Sequence, residues 1–312
     1  MGVRGLQHFL EKDCSGAFYE VDIANLATTH TTKTGKQPVV VVDTMSCINK
    51  IYIDNKLDWI CGGQYQDYIK AWGNFIESFV KLGIRLVFVY DGTSQTVKRK
   101  EWVRRRYQTM LEKVYPAFDF LKKGVLPPKM DEKFCLPSLQ TKHILNMVYN
   151  CEVITSVKEA DEEIVALANK MDAIGILGQD SDYIIYQTNV PYLSSQHLNL
   201  DTLKTMVYDR CQFAEQIGIK IAQLPIFAVL AGNDVICREG LSKFHRWVSY
   251  YSGKGRPYFG DIAFGIGQFI NNERYPSNKD LILKTVPRKV ASGRKASIYP
   301  CSHCQTWYLL AS

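Results

Sequence analysis

Short apolar runs rich in β-branched residues recur through the first half of the chain, and acidic residues follow them. Four of these runs stand out: Val39–Val42, Arg85–Tyr90, Glu152–Thr155 and Ala173–Leu177. Continuous apolar runs of this length are typical of strands that are buried on both faces of a parallel sheet. Helical stretches lie between them, at Tyr65–Leu82, Ser138–Tyr149 and Ser156–Met171. The alternation indicates βαβ units, so the sequence predicts an α/β fold with a mostly parallel central sheet.

The acidic residues stand at the carboxyl ends of the predicted strands, where ligands bind in an open parallel sheet. Seven carboxylates are expected at this edge: Asp43, Asp91, Glu159, Asp161, Asp180, Asp182 and Asp234. Two unit charges about 4 Å apart repel by about 4 kcal/mol at an effective dielectric constant of 20, so the group needs counter-charge. Two Mg²⁺ or Mn²⁺ ions would supply it, and such a pair can clamp the attacking water and the leaving oxygen of a phosphodiester.

Each of these acids also has a simpler explanation. A single acid at a strand end is often a turn or helix-cap residue. Ser156–Glu159 matches a capping box, Asp161 suits the dipole at a helix N-terminus, and Asp180-Ser181-Asp182 can form a turn. The joint placement of acids at the same end of each strand favours the metal hypothesis, while the capping alternative stays open.

Residues 93–135 interrupt the alternation with basic and aromatic residues and with the breaker pair Pro127-Pro128. We expect a basic helical insertion here, lying over the active site rather than within the sheet. After about Val235 the periodic pattern fades, and we expect loops followed by a mobile basic tail at Lys284–Lys295. The predicted organisation is a domain of residues 1–236 and a C-terminal extension of residues 237–312.

The order of six motifs resembles that of flap endonucleases and the xeroderma pigmentosum G nucleases. These motifs are Met1–Leu6, Val42-Asp43, Phe88–Gly92, Glu159–Asp161, Gln179–Asp182 and Leu230–Asp234. The resemblance covers residues 1–236 and implies a PIN-like fold that uses two Mg²⁺ ions to cut branched DNA. It matches the seven acids to that family's metal ligands. Lys98 and Arg105 match two positively charged catalytic residues that hold the scissile phosphate. Gly2 matches an N-terminal glycine beside the active site.

Further motifs are similar to a narrower family, constitutive coactivator of PPAR-gamma, with the Asteroid proteins as cousins. They are Met1–Gln7, Trp59–Gln64, Glu101–Val103, Ile176–Gly178 and Asp182–Tyr186. This resemblance implies nuclear or cytoplasmic regulatory proteins, some of them RNA-binding scaffolds. Two departures from the nuclease pattern support this resemblance. The helix-two-turn-helix that binds the backbone of duplex DNA, expected after Asp234, is absent from the sequence, and Gln179 stands where the nucleases usually have an acid. Members of that family are usually longer, so we expect a short form or a fragment.

The segment Thr96–Arg106 carries six bases against one acid. Basic side chains on a helix can follow a phosphate backbone, and an interleaved aromatic ring offers a stacking surface. The predicted nucleic-acid contacts are Gly2, Lys98, Arg99, Lys100, Trp102, Arg104, Arg105 and Arg106. A solvated helix face explains the same run of charge equally well.

No apolar run approaches the roughly 20 residues that span a bilayer, and the N-terminus lacks the apolar stretch of a signal peptide. Nine cysteines without framework spacing fit a reducing compartment. We expect a soluble protein of the nucleus, and also of the cytoplasm, whose partners are single-stranded or branched DNA, or RNA, and nuclear receptors or other regulatory proteins. Two functions stay open: a Mg²⁺-dependent nuclease, and a non-catalytic coactivator or RNA-binding scaffold.

Overall fold

The computed structural model describes residues 2–57, 64–92, 99–125, 138–157, 160–233, 236, 238–250 and 258–272. Its strands are β1 (Phe18–Asp22), β2 (Val39–Asp43), β3 (Arg85–Tyr90), β4 (Glu152–Thr155), β5 (Gly175–Gly178), β6 (Tyr192–Ser194) and β7 (Lys204–Tyr208). They form one sheet in the order β1-β7-β6-β5-β2-β3-β4. The pairs β2–β3, β2–β5, β3–β4 and β5–β6 are parallel. The predicted α/β fold with a mostly parallel sheet is therefore confirmed.

Helices occupy much of the remaining described chain. They are α1 (Leu6–Asp13), α2 (Ile23–Thr34), α3 (Thr44–Asp54), α4 (Tyr65–Val80), α5 (Arg99–Thr109), α6 (Tyr115–Lys122), α7 (Ser138–His143), α8 (Ala160–Lys170), α9 (Asp182–Ile185), α10 (Arg210–Gln216), α11 (Leu224–Ala231), α12 (Ser242–Tyr250) and α13 (Phe259–Asn272). Two π-helical segments, Met110–Val114 and Ile144–Val148, and two 3₁₀ segments, Ile221–Gln223 and Arg238–Leu241, adjoin them.

Strand β2 is the centre of the sheet, because it pairs with β3 on one side and with β5 on the other and is buried along its whole length. Its four valines fill both faces, as the sequence predicts. Val40 lies opposite Leu86 of β3 and opposite Gly175 of β5. Since these strands are parallel, the residues that follow them emerge at one edge of the sheet.

The chain divides into two compact units. The sheet unit consists of Glu20–Gln179 and Val190–Met206, and the helical unit consists of Met1–Tyr19, Asp180–Asn189 and Val207–Ser312. In the sheet unit, α4 buries one face against the sheet, and the Trp72 ring packs edge-on against Phe75 and Phe88. These apolar positions recur at helical spacing, which is why the sequence identifies α4.

The helical unit has an aromatic core. Phe9 of α1 packs against Phe213 of α10 and against Phe259 and Phe264 of α13, with ring centroids 5.8–6.4 Å apart. Phe213 also packs edge-on against Phe227 of α11. Offset and edge-to-face contacts of this kind add to the free energy gained from burial of the rings.

The expectation of loops after residue 235 was wrong for α12 and α13. The glycines of α13, which suggested loops, permit close helix packing instead. A Cβ on Gly265 would lie 2.6 Å from the backbone oxygen of Val248 in α12, a separation that real Cβ atoms do not show. Helix α8 also begins later than expected, because Ser156 and Val157 are not helical. The domain boundary at residue 236 stays a prediction, and the basic tail lies outside the described residues.

The described part of the insertion is helical, as predicted. It runs through α5, the π-helical segment Met110–Val114 and α6. Among the side chains described there, Val114 and Ala117 are buried. In the described chain no single helix is both long and apolar enough to cross a membrane. The helices Arg210–Gln216 and Ile221–Ala231 reach that length and apolar composition only together, and they are bent by 86° where they join.

Candidate metal centre and nucleic-acid interface

Asp43 stands where β2 ends and α3 begins, which places its carboxylate at the carboxyl edge of the sheet. Its Oδ2 accepts a hydrogen bond from Ser46 Oγ at 2.6 Å, and its Oδ1 accepts one from Ser46 N at 3.4 Å. Asp43 is therefore the N-cap of α3. Burial, followed by the Asp43 charge, raises the pKa of the Cys47 thiol well above its usual value. The group beside this carboxylate is thus a neutral thiol at neutral pH.

Asp91 follows β3 and is exposed. Its Oδ1 accepts a hydrogen bond at 2.9 Å from the backbone N–H of Ala160, the first residue of α8. Asp91 therefore satisfies a donor at the N-terminus of that helix, where a negative charge is also favoured by the helix dipole. Ser156 Oγ accepts from Gly92 N at 3.0 Å, which joins the ends of β3 and β4.

Asp180 and Asp182 lie on the turn that the sequence allowed. Asp180 Oδ1 accepts from the backbone N–H of Asp182 at 3.0 Å, and Asp182 begins α9 and is 2% exposed. Gly2 packs against this turn. A Cβ on Gly2 would lie 2.7 Å from Asp180 Oδ1, 2.8 Å from Asp182 N and still closer to Ser181 Oγ. Glycine at position 2 therefore permits an approach that no other residue allows without displacing the turn.

Arg210 of α10 holds the far end of this segment and carries no sequence signal that would have identified it. Its guanidinium donates to the backbone oxygens of Ile185 at 3.4 Å and Thr188 at 3.3 Å. Burial lowers the pKa of Arg210 below its usual value. The side chain thus satisfies one backbone acceptor in the last residue of α9 and one beyond it, and it fixes the helix that carries Asp182.

Asp161, Asp180 and Asp182 form a cluster of three carboxylates. One oxygen from each lies within 4.8 Å of the other two. Asp161 is placed by the first turn of α8. Two full charges at this separation repel on the order of 3 kcal/mol at an effective dielectric constant of 20. Carboxylate oxygens are the ligands that Mg²⁺ and Mn²⁺ prefer, so these three residues fit a divalent cation.

Four other residues were predicted as metal ligands: Asp43, Asp91, Glu159 and Asp234. Asp43 and Asp91, both described, lie outside the group of three. Glu159 and Asp234 lie outside the described residues, as does Lys98, which was predicted to hold the scissile phosphate. The seven-acid site and its second ion therefore stay predictions. The described residues flanking Asp234 are joined, since Asn233 Oδ1 accepts from Ile236 N at 2.9 Å.

A polar network that the sequence does not predict joins the ends of β2, β5 and β6. Gln179 N donates to Ser46 Oγ at 3.1 Å, which links the cap of α3 to the end of β5. Gln179 Oε1 accepts from Ser194 Oγ at 3.0 Å and from Gln196 N at 3.2 Å. Gln179 Nε2 donates to Gln196 Oε1 at 3.0 Å. The Gln179 side chain thus connects the ends of β5 and β6. In the sequence, the sign of this network is the three-residue spacing from Asp43 to Ser46, which is typical of a helix cap.

Apart from Gly2, the predicted nucleic-acid contacts that are described lie on α5. Arg99, Trp102, Arg104 and Arg106 are exposed, and the Arg106 guanidinium carbon lies 5.2 Å from the centre of the Trp102 ring. Lys100 and Arg105 belong to the same helix. Exposed bases with an aromatic ring between them suit a phosphate backbone, and the solvated-face alternative fits the same geometry.

The chain is similar to curated proteins named constitutive coactivator of peroxisome proliferator-activated receptor gamma. Identity is 36% over 251 residues to the Bos taurus protein, 37% over 251 to that of Homo sapiens and 34% over 278 to that of Mus musculus. These matches cover 79%, 79% and 87% of the chain, which spans only 35%, 27% and 35% of the three relatives. No model of a protein family matches the sequence. The predicted resemblance to the coactivator family is confirmed.

The fold is similar to those of two proteins that have been solved in complex with DNA. The Holliday junction-resolving enzyme GEN1, solved with product DNA and Mg²⁺, matches 99% of this chain and 64% of its own with a TM-score of 0.56 at 14% identity. The catalytic core of Rad2 with DNA substrate matches 98% of this chain and 84% of its own with a TM-score of 0.53 at 15% identity. These likenesses confirm the PIN-like, flap-endonuclease-like fold.

Proposed function

We propose that this chain, a relative of the PPAR-gamma coactivators with the fold of the Rad2 and GEN1 nucleases, binds nucleic acid and hydrolyses phosphodiester bonds with the help of divalent cations. The observation that carries the proposal is the cluster of Asp161, Asp180 and Asp182. Three carboxylates this close are unfavourable without counter-charge, and they lie on a fold whose member GEN1 has been solved with product DNA and Mg²⁺.

In this proposal the cluster holds one Mg²⁺ or Mn²⁺ ion, and the remaining predicted acids complete a two-ion site: Asp43, Asp91, Glu159 and Asp234. Bound divalent ions supply Lewis acidity and lower the pKa of a bound water. The role of the protein is to hold the side chains that bind these ions in place. Gly2 admits the N-terminal segment against the Asp180 turn, and Arg210 fixes the end of α9 behind Asp182.

The proposed substrate is single-stranded or branched DNA, or RNA. Lys98 and Arg105 would hold the scissile phosphate, and Arg99, Lys100, Arg104 and Arg106 would contact neighbouring phosphates, with Trp102 as a stacking surface. The support is the exposure of the bases that are described on α5. The chain also carries a net charge of +7, which favours anionic partners.

A second candidate function is a non-catalytic coactivator or RNA-binding scaffold of the nucleus, with a nuclear receptor as its partner. The printed name of the relatives favours it, since all three are constitutive coactivators of a nuclear receptor. Asp43 and Asp91 serve as helix caps, which gives two of the seven acids a purpose without catalysis. In this case the carboxylate cluster binds a cation that stabilises the fold.

A cleavage assay separates the two functions. Labelled single-stranded, flapped and RNA substrates are incubated with Mg²⁺ or Mn²⁺ and with the wild-type chain, Asp180→Ala or Asp67→Asn. Asp67 is a matched control because it is an exposed acid of α4, paired with Lys70 at 3.5 Å. A nuclease cuts at least one substrate, loses cutting in Asp180→Ala and keeps it in Asp67→Asn. Absence of cutting by the wild-type chain, with cation binding retained, supports the scaffold.

A further inference from the structure

The helix of the insertion exposes an unusual amount of apolar surface. Tyr107 is 64% exposed, Tyr115 is 53% exposed and Val103 is 49% exposed. Met110, Leu111 and Phe118 are also exposed. Isolated apolar side chains on a surface are ordinary, but a contiguous group of them marks an interaction site in a soluble protein.

These six side chains form one stripe, which we call the insertion stripe: Val103, Tyr107, Met110, Leu111, Tyr115 and Phe118. The first four recur at positions i, i+4, i+7 and i+8, the spacing of one face of an α-helix. The π-helical segment then adds one residue to the turn, and Tyr115 N donates to Met110 O across it. Tyr115 therefore follows Met110 along the helix, and Phe118 lies three residues further on.

Charge is distributed unevenly along the insertion stripe. Successive residues of an α-helix are about 100° apart around the axis, so Arg104 and Arg106 lie on opposite sides of the Val103–Tyr107 end. Further along, Glu112 is exposed, and Asp119 forms an ion pair with Lys122 at 3.8 Å. One end of the stripe is therefore flanked by two bases, whereas the other end carries charges of both signs.

We propose that the insertion stripe is a docking site for an amphipathic helix of a partner protein, with acidic residues at the end that meets Arg104 and Arg106. A helix of this kind buries its apolar face against a facing apolar stripe and chooses its register by flanking charges. A nucleic-acid strand fits the basic residues of α5 better than it fits the insertion stripe, because the stripe side chains are apolar and the acid Glu112 is exposed on the same helical segment. The proposal does not depend on the metal site.

The test uses a fluorescein-labelled helical peptide with leucines at i, i+3, i+4 and i+7 and with glutamates flanking them at one end. One control peptide has its leucines replaced by serine, and another has its glutamates replaced by lysine. Binding to the full chain is measured by fluorescence anisotropy in EDTA, so that loss of a cation site cannot affect the result. We expect the acidic peptide to bind and each control peptide to bind at least tenfold more weakly.

Variants of the protein then locate the site. Tyr107→Ser with Leu111→Ser should weaken peptide binding at least tenfold, and Arg104→Glu with Arg106→Glu should weaken it severalfold. The matched control is Val80→Ser with Leu82→Ser, which removes exposed apolar side chains elsewhere in the sheet unit and should leave binding within twofold. Circular dichroism checks that each variant stays folded.

Three results would overturn the proposal. The first is no binding of the acidic peptide, and the second is equal binding by the parent and the Tyr107→Ser, Leu111→Ser variant. The third is loss of binding to a labelled 20-nucleotide single strand in that variant with no loss for the peptide. That last result would assign the insertion stripe to nucleic acid.

Discussion

At the residue scale, several predicted metal ligands also have structural roles. Asp43 caps α3, Asp91 accepts a hydrogen bond from the N-terminus of α8, and Asp180 accepts one from Asp182 N. The two explanations are compatible, because an ionised carboxylate has two oxygens and about four acceptor positions. A carboxylate that is already oriented by a backbone N–H loses less conformational freedom when it binds an ion.

Replacement of Asp180 by asparagine should separate these two roles. Asparagine keeps the Oδ1 acceptor for Asp182 N but removes one of three clustered charges. Without divalent cations we expect the free energy of unfolding of the variant to be about 1 kcal/mol higher than that of the wild type, because the repulsion among the three acids is reduced. The gain is small because solvent screens the charges of partly exposed acids. With about 5 mM Mg²⁺ the wild-type melting temperature should rise and that of the variant should rise much less.

Thermal melts with Mg²⁺ or with EDTA measure both effects. Asp67→Asn is the control, since it removes an exposed charge outside the cluster. An Asp180→Asn variant that gains as much from Mg²⁺ as the wild type would show that the cluster is not the cation site.

Gly2→Ala should destabilise the Asp180 turn. The added Cβ would lie 2.8 Å from the backbone nitrogen of Asp182, and a backbone atom cannot move aside as a flexible side chain can. Overpacking of this kind costs about 1–3 kcal/mol of unfolding free energy, which urea denaturation can measure. Gly240→Ala is the matched control, because a Cβ there meets nothing within 4 Å. Equal stability of the two variants would contradict the close approach of Gly2 to the turn.

At the scale of elements, the sequence pattern identified the strands and helices whose burial is regular. β2, β3 and β5 were predicted because apolar residues fill both faces of a central parallel strand. β4 was predicted from its Val153-Ile154 pair, although it lies at the edge of the sheet and is only half-buried. β1, β6 and β7 were not, since β1 mixes Glu20 and Asp22 with apolar residues and β6 has only three residues. α13 was hidden by glycines that are typical of loops but here permit close helix packing.

The candidate site also contains residues that the sequence could predict and residues that it could not. The acids could be found from their positions after the strands, because that placement follows from the topology of a parallel sheet. Gln179 and Arg210 could not, because they act through hydrogen bonds to partners as distant in sequence as 133 residues. Nothing local in a sequence records such a partner.

The packing of α12 on α11 should make stability depend on pH. His245 Nε2 lies 2.7 Å from Leu230 O, and burial, the largest cause, lowers the pKa of His245 below 6.5, while the bond to Leu230 opposes the shift. Below pH about 6.5 the unfolded chain therefore binds more protons than the folded chain, so the free energy of unfolding falls on acidification. This contribution is complete above pH about 6.5 and is lost as the pH falls through the folded pKa.

Urea denaturation at about pH 7.5 and about pH 5.5 tests this expectation. The wild-type chain should lose more unfolding free energy between the two values than His245→Gln, which keeps a side-chain donor for Leu230 O but does not titrate. Other titrating groups are common to both chains and cancel in the comparison. Equal losses would show that His245 is not neutral in the folded protein.

At the scale of the whole molecule, charge of opposite sign is concentrated in separate segments. The chain carries 38 basic and 31 acidic residues, and six of the bases lie between Thr96 and Arg106. Neutralisation of phosphates by bases releases counterions, so each contact with a single strand contributes about −0.7 to the slope of log affinity against log salt. Binding by the insertion should therefore be strongly dependent on salt and weakly dependent on base sequence.

Charge reversal tests whether the basic segment contacts the strand. We expect Arg99→Glu, Arg104→Glu and Arg106→Glu together to weaken single-strand binding for all sequences and to make the salt slope less steep by about 2, the value for three lost contacts. The control reverses Lys33, Lys70 and Lys81, which changes the net charge equally but lies on α2, on α4 and just beyond α4. Asp180→Ala should leave affinity unchanged or raise it, because it removes negative charge from the cluster. Fluorescence anisotropy across a salt series measures all four chains. If both triple variants lose affinity alike, net charge and not the insertion attracts the strand; if neither does, the basic segment is a solvated helix face.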